Sequence, residues 1–133
     1  MGASSALRVT VLLDALLMAW GHAPLIRAIF RSPSIGGYFL FSTVVFVLGG
    51  ILVVSGKLFK LANVDLVILG VVDNLLLVYT RTMPNIFFRR PIPWSWEWFP
   101  PGTVQIFFGQ AIIIVLCAIL FYKSRAAGNA VRR

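Results

Sequence analysis

Apolar residues gather into four long runs, separated by short clusters of glycine, proline and basic residues. The runs cover 7–30, 36–56, 62–80 and 103–122, and the first is the most polar. Each is close to the ~20 residues that a helix needs to cross a hydrocarbon core about 30 Å thick. The pattern predicts an all-α protein, an integral membrane four-helix bundle occupying the single domain 1–133. The connections RSPSI and KLFKL are short, so the first three helices are expected to be antiparallel neighbours. A long aromatic and proline-rich loop, 81–102, joins helices three and four, and 123–133 reads as a mobile basic tail at the headgroups.

Composition agrees with the runs. The 133 residues are 59% hydrophobic and 12% charged, with a mean hydropathy of +0.92. An average soluble domain is roughly 45–50% apolar and about 25% charged, so this chain has too few charges to coat a surface in water. The N-terminal run carries Asp14 and lacks a clear small-residue cleavage site, so it is expected to be a retained helix and not a signal peptide. Cys117 is the one cysteine, which excludes an intrachain disulfide and a CxxC redox or zinc motif.

Twelve Lys and Arg oppose four acids, giving a net charge of +8. Because the basic residues edge the apolar runs, anionic lipid headgroups are the expected partners and nucleic acid is not. With the N-terminus inside, seven cations lie on the inner side: Arg8, Lys57, Lys60, Lys123, Arg125, Arg132 and Arg133. Five lie outside: Arg27, Arg31, Arg81, Arg89 and Arg90. The bias places both termini in the cytoplasm, with a prokaryotic plasma membrane the expected location.

The informative residues are the polar groups inside the runs. An ionised side chain at the bilayer centre costs about 2.5–3.5 kcal/mol even on the insertion scale. At a rise of 1.5 Å per residue, Asp14 lies roughly 10 Å and His22 roughly 22 Å along helix one, and Asp73 roughly 16 Å along helix three, near the midplane. That spacing gives a ladder with steps of about 6 Å. The first expectation is interhelical hydrogen bonding between helices one and three, with Asn74, Gln110, Ser42, Thr43 or Tyr79 as donors. The second is a proton or ion path, since carboxylates and imidazole change protonation state. A third pairs Asp73 with a cation of another subunit, because no basic residue of this chain is expected at its depth. Asp65 and Asn63 read as first-turn residues of helix three, where dipole and capping explain them.

Ala15, Ala19 and Ala23 in helix one, and Gly49, Gly50, Ser55 and Gly56 in helix two, predict close helix packing, within this chain or against another. Pro24 predicts a kink or an end to helix one. In the loop, prolines at 84, 91, 93, 100 and 101 forbid a continuous helix. Trp94, Trp96 and Trp98 alternate with Ser95 and Glu97, so an extended backbone places all three indoles on one face, either in the headgroup belt or on a partner protein. Arg89 and Arg90 beside them suit lipid phosphates or an anionic ligand.

A single histidine excludes bis-histidine haem ligation, and no nucleophile elbow, phosphate loop or metal-ligand spacing appears. No catalytic residue, cofactor or metal is expected. The stretch FVLGGILVVSGKLFKLANVDLVILG, 46–70, with Gly49, Gly50, Gly56, Lys57 and Lys60, resembles the DoxX/DoxD-like small membrane proteins. The resemblance implies a respiratory setting, because that family includes a subunit linked to quinone-dependent thiosulfate oxidation; the PWSWEWFPPG loop departs from its pattern. The expected function is that of a small non-catalytic subunit or assembly partner in a hetero-oligomeric membrane complex, plausibly an energy-converting one. The alternative is a homo-oligomeric proton-coupled transporter or channel using Asp14, His22 and Asp73.

Overall fold

The computed structural model describes residues 3–86 and 89–132, with side chains described through residue 126. Four α-helices account for nearly all of it: α1 (Ala3–His22), α2 (Pro33–Ser55), α3 (Phe59–Thr82) and α4 (Thr103–Arg132). Each contains a stretch long and apolar enough to cross a membrane, so the chain has the make-up of an integral membrane protein. Leu13, Phe41, Leu48, Ile68, Leu75, Phe108 and Val115 lie exposed along the outside of the bundle. Such a continuous apolar exterior suits hydrocarbon and not water.

The first span changes geometry where Pro24 removes a backbone donor. The α-helix stops at His22 and the chain continues as a 3₁₀ helix, Ala23–Phe30, with Pro24 in its first turn. Pro33 then starts α2 at a position where its fixed φ is already helical. The turn to α3 depends on Gly56, whose φ of +76° ends α2 in the left-handed region while its N–H donates to the Leu52 carbonyl at 3.0 Å.

Two boundaries differ from expectation. Helix three starts at Phe59, three residues ahead of the expected 62, because Lys60 and Leu61 are helical and do not belong to the turn. Asp65 is consequently the seventh residue of α3 and exposed, not a first-turn dipole partner. Asn63 is buried and donates back to the Phe59 carbonyl at 3.0 Å, so it caps nothing. At the other end of the chain the backbone stays helical through Arg132, where a tail was expected from 123. The stretch 123–132 contains no proline, and its alanines favour helix.

The helices form a square. Neighbours in sequence pack side by side, α4 closes the ring against α1, and α1 and α3 stand on a diagonal without backbone contact. The core is continuous from α1 to α4, with Val11, Ala15, Met18, Phe46, Val53, Leu66, Ile113 and Cys117 fully buried. The small-residue faces pack within this chain: a Cβ added to Gly50 would sit 3.1 Å from the Ala15 Cβ. Closest of all is the approach of α2 to the 3₁₀ segment, where a Cβ on Gly36 would come 2.1 Å from the Ile29 nitrogen. The end of the bundle that carries 81–102 is called the loop end below, and the opposite end the terminal end.

Candidate functional site

The loop-end half of the core holds the principal polar cluster. His22, in the last turn of α1, places Nε2 3.0 Å from Oδ2 of Asp73 on α3. Tyr38, in the second turn of α2, donates its hydroxyl to Oδ1 of the same carboxylate at 2.7 Å. Three helices thus meet at one side chain, and the His22–Asp73 contact spans the diagonal that the backbones leave open. His22 and Asp73 are 2% and 4% exposed, so lipid and water are both kept from the pair. Phe39 and Phe46 flank the imidazole at centroid distances of 6.0 and 5.3 Å.

The hydrogen bonds fix the number of protons in this cluster. His22 Nδ1 lies 2.8 Å from the Met18 carbonyl, which only accepts, so Nδ1 carries a hydrogen. A bare Nε2 facing a bare carboxylate oxygen at 3.0 Å would set lone pair against lone pair. One further proton therefore lies between Nε2 and Oδ2. Whether it is drawn on nitrogen or on oxygen, the pair is neutral overall. Neutrality removes most of the penalty that a solitary intramembrane charge would carry.

This pairing bears on three expectations. Asp73 is not left without a basic partner in this chain, since His22 meets it. Each of its oxygens already has one partner inside the chain, so a Lys or Arg from another subunit is not needed to satisfy them. The ladder of equal steps collapses as well: the 3.0 Å contact puts Asp73 level with His22, and from the observed start of α3 at Phe59 it lies roughly 21 Å along the helix. Tyr38 was missing from the expected donors. Its position about 8 Å inside α2, at the same end as His22, is the depth signal that would have found it.

Of the other expected donors, Gln110 reaches the Asp73 carboxylate and Ser42 the Tyr38 hydroxyl, while the rest act elsewhere. Gln110 donates from Nε2 to Oδ1 of Asn74, and Asn74 Nδ2 donates to the Phe107 carbonyl at 3.2 Å, tying α3 to α4. Thr43 bonds back to the Phe39 carbonyl at 2.7 Å, and the Tyr79 hydroxyl accepts from the Ile86 amide at 3.4 Å. The buried Ser42 hydroxyl lies beside the Tyr38 hydroxyl, within the same cluster.

Asp14 stands apart. It lies eight residues, roughly 12 Å, along α1 from His22 and faces α4, where a Cβ on Gly109 would be 3.0 Å from its Oδ1. That oxygen is buried and makes no hydrogen bond. From Asp14 toward the terminal end, the core residues in register are Val11, Leu66 and Cys117, all fully buried and apolar. Among the described residues no three His, Cys, Asp or Glu side chains gather as metal ligands would.

The second candidate is the loop. Its tryptophan segment folds back on the first turn of α4 and caps it. Ser95 Oγ accepts the Thr103 N–H at 2.9 Å, the Ser95 carbonyl accepts from Val104 at 3.1 Å, and the Ser95 amide donates to Thr103 Oγ1 at 2.8 Å. The Glu97 amide donates to Gln105 Oε1 at 3.2 Å, and its carbonyl accepts from Gly102 at 2.8 Å. These bonds satisfy donors that a helix N-terminus otherwise leaves open, and they fix the loop on the bundle. The Phe99–Pro100 peptide is cis.

The indoles do not all share a face. Trp94 packs edge-on against Phe107 of α4, with centroids 5.9 Å apart. Trp96 and Trp98 meet each other at 6.0 Å and stay 65% and 55% exposed. Phe99, also exposed, lies 5.6 Å from Trp20 of α1. The loop end therefore presents an aromatic platform of two exposed ring pairs, Trp96 with Trp98 and Phe99 with Trp20, on a loop whose backbone is tied to α4. Arg89 and Arg90 are exposed in the same loop.

No protein-family model, curated protein or solved structure matches the chain. What its site does must be argued from this geometry.

Proposed function

We propose that the protein is a small non-catalytic subunit or assembly partner of a larger membrane protein complex, of the respiratory or other energy-converting kind, with both termini in the cytoplasm. The observation that carries the reading is the aromatic platform. Two tryptophans and a phenylalanine are held exposed on a loop whose backbone is already tied to α4 by Ser95, Glu97, Thr103 and Gln105. Rigid, amphipathic rings of this kind are the side chains that dominate binding at protein interfaces, because little conformational freedom is lost when a partner covers them. The bundle supports the same reading from inside. Asp73, His22 and Tyr38 are spent on one another, as expected of groups that hold helices in register. The energy-converting setting rests on the likeness of 46–70 to DoxX/DoxD-like proteins, and the orientation on the seven-to-five distribution of cations.

Native mass spectrometry after extraction in mild detergent tests this directly. A complex of fixed stoichiometry with larger membrane subunits is expected. A homo-oligomer free of other subunits would contradict it.

One observation favours the transporter or channel alternative: the buried, unpartnered Oδ1 of Asp14. If Asp14 carries protons, liposomes holding the purified chain will dissipate an imposed pH gradient and the Asp14→Asn variant will not. Equal leakage from both removes Asp14 from any such path.

A further inference from the structure

The terminal end carries a cleft of about 230 Å³ that the aromatic platform and the polar bridge do not use. It opens between the start of α1, the start of α3 and the end of the membrane span of α4, and is lined by Ser4, Arg8, Phe59, Leu120, Lys123 and Ser124. Two cations and two hydroxyls converge there from two different helices. Arg8 is held in place: its guanidinium carbon lies 4.5 Å over the Phe59 ring, and an Nη atom would be 3.2 Å from a Cβ placed on Gly56.

Among the described residues this charge is not spent: the one ion pair is His22–Asp73, so neither Arg8 nor Lys123 is neutralised. Of the four acids, Asp73 and Glu97 belong to the loop-end half, and Asp14 and Asp65 each lie six residues, roughly 9 Å, further into the bundle than Arg8 and Phe59. None lines the cleft. Arg8 Nε is buried without an acceptor, and an oxyanion in the cleft would supply one. The walls beneath the cations, Phe59 and Leu120, are apolar and lead toward the hydrocarbon.

We propose that this cleft binds a phosphate-bearing anion, and that its occupant in the membrane is the headgroup of an anionic phospholipid. The Arg8 guanidinium and the Lys123 ammonium take the phosphate oxygens. Ser4 and Ser124 donate to the remaining acceptors, and the acyl chains run down along Leu120 and Phe59. Basic pockets between membrane helices suit such headgroups because cation and acyl contacts are met together.

The test is native mass spectrometry of the full chain in mild detergent supplied with equal phosphatidylglycerol and phosphatidylcholine. Wild-type protein retains phosphatidylglycerol preferentially. Lys123→Gln, a change at an exposed position that leaves the bundle intact, retains about fivefold less, and Arg8→Gln/Lys123→Gln roughly twenty-fivefold less. Lys60→Gln/Arg125→Gln, which loses the same charge outside the cleft, retains it as the wild type does. Equal loss in both double variants, or unchanged retention in Lys123→Gln, overturns the proposal. Inorganic phosphate that displaces the lipid and occupies the protein in its place overturns the assignment to a lipid.

Discussion

Removing one side of the His22–Asp73 bridge should expose how much the diagonal contact holds. In His22→Leu, the carboxylate of Asp73 stays 4% exposed and keeps the Tyr38 hydroxyl on Oδ1, while Oδ2 loses its partner. A lone carboxylate at depth costs about 2.5–3.5 kcal/mol on the insertion scale. An ordinary interhelical hydrogen bond is worth about 0.6 kcal/mol, because helices unfolded in the membrane find other partners. The bridge should fall between these limits, since Asp73 can take up a proton and become a neutral acid. About 1.5–3 kcal/mol is expected for His22→Leu and a similar loss for Asp73→Leu. The double variant should lose less than the sum, because no ionisable group is left unpaired and only the Tyr38 hydroxyl loses its acceptor. The readout is a double-mutant cycle on reversible unfolding in mixed micelles, which isolates the pairwise energy. A coupling of at least ~1 kcal/mol is expected, and additive losses within about 0.5 kcal/mol would refute the bridge as a holding element.

Further expectations follow from single positions. Gly36→Ala forces a Cβ to within 2.1 Å of the Ile29 backbone nitrogen, which cannot move aside cheaply, and should lower the thermal midpoint by the equivalent of about 2–3 kcal/mol; Gly37→Ala, with nothing within 4 Å, should leave it unchanged or raise it. Ser95→Ala removes the side-chain cap of α4 and should cost about 1 kcal/mol, with faster hydrogen exchange at the Thr103 amide that it satisfies. Asp14→Leu replaces a buried carboxylate oxygen that has no partner, and should raise the unfolding midpoint in micelles; a lower midpoint would mean that Asp14 has a stabilising role which its lack of a partner does not suggest.

How much of this was legible in the sequence differs from element to element. The spans could be read because hydrocarbon imposes one length and one composition on every crossing helix. Pro24 announced a change in helix one, though not that the chain would tighten into a 3₁₀ helix and continue to Phe30. Lys60 misled the start of α3, because a lysine stem can run along a helix end while its charge reaches the headgroups. That error of three residues shifted the depth of Asp73 and hid its match with His22. Tyr38 escaped notice because a tyrosine near a span end is common at a membrane interface, and only the square packing brings it under Asp73. The loop was legible as non-helical from its prolines. Its fold-back on α4 depends on Ser95 and Gln105, which are polar residues without a local pattern until the cap itself is seen.

The account depends most on the aromatic platform being a docking surface for another membrane subunit. The most direct measurement is quantitative recovery of the native complex from membranes expressing Trp96→Ala/Trp98→Ala beside wild type, with the amount of folded chain matched. Losing two exposed anchor indoles, at about 2 kcal/mol or more, should weaken association at least roughly thirtyfold, leaving the variant free of its larger partners. Equal recovery of the complex would contradict the account and leave the indoles as membrane-interface anchors.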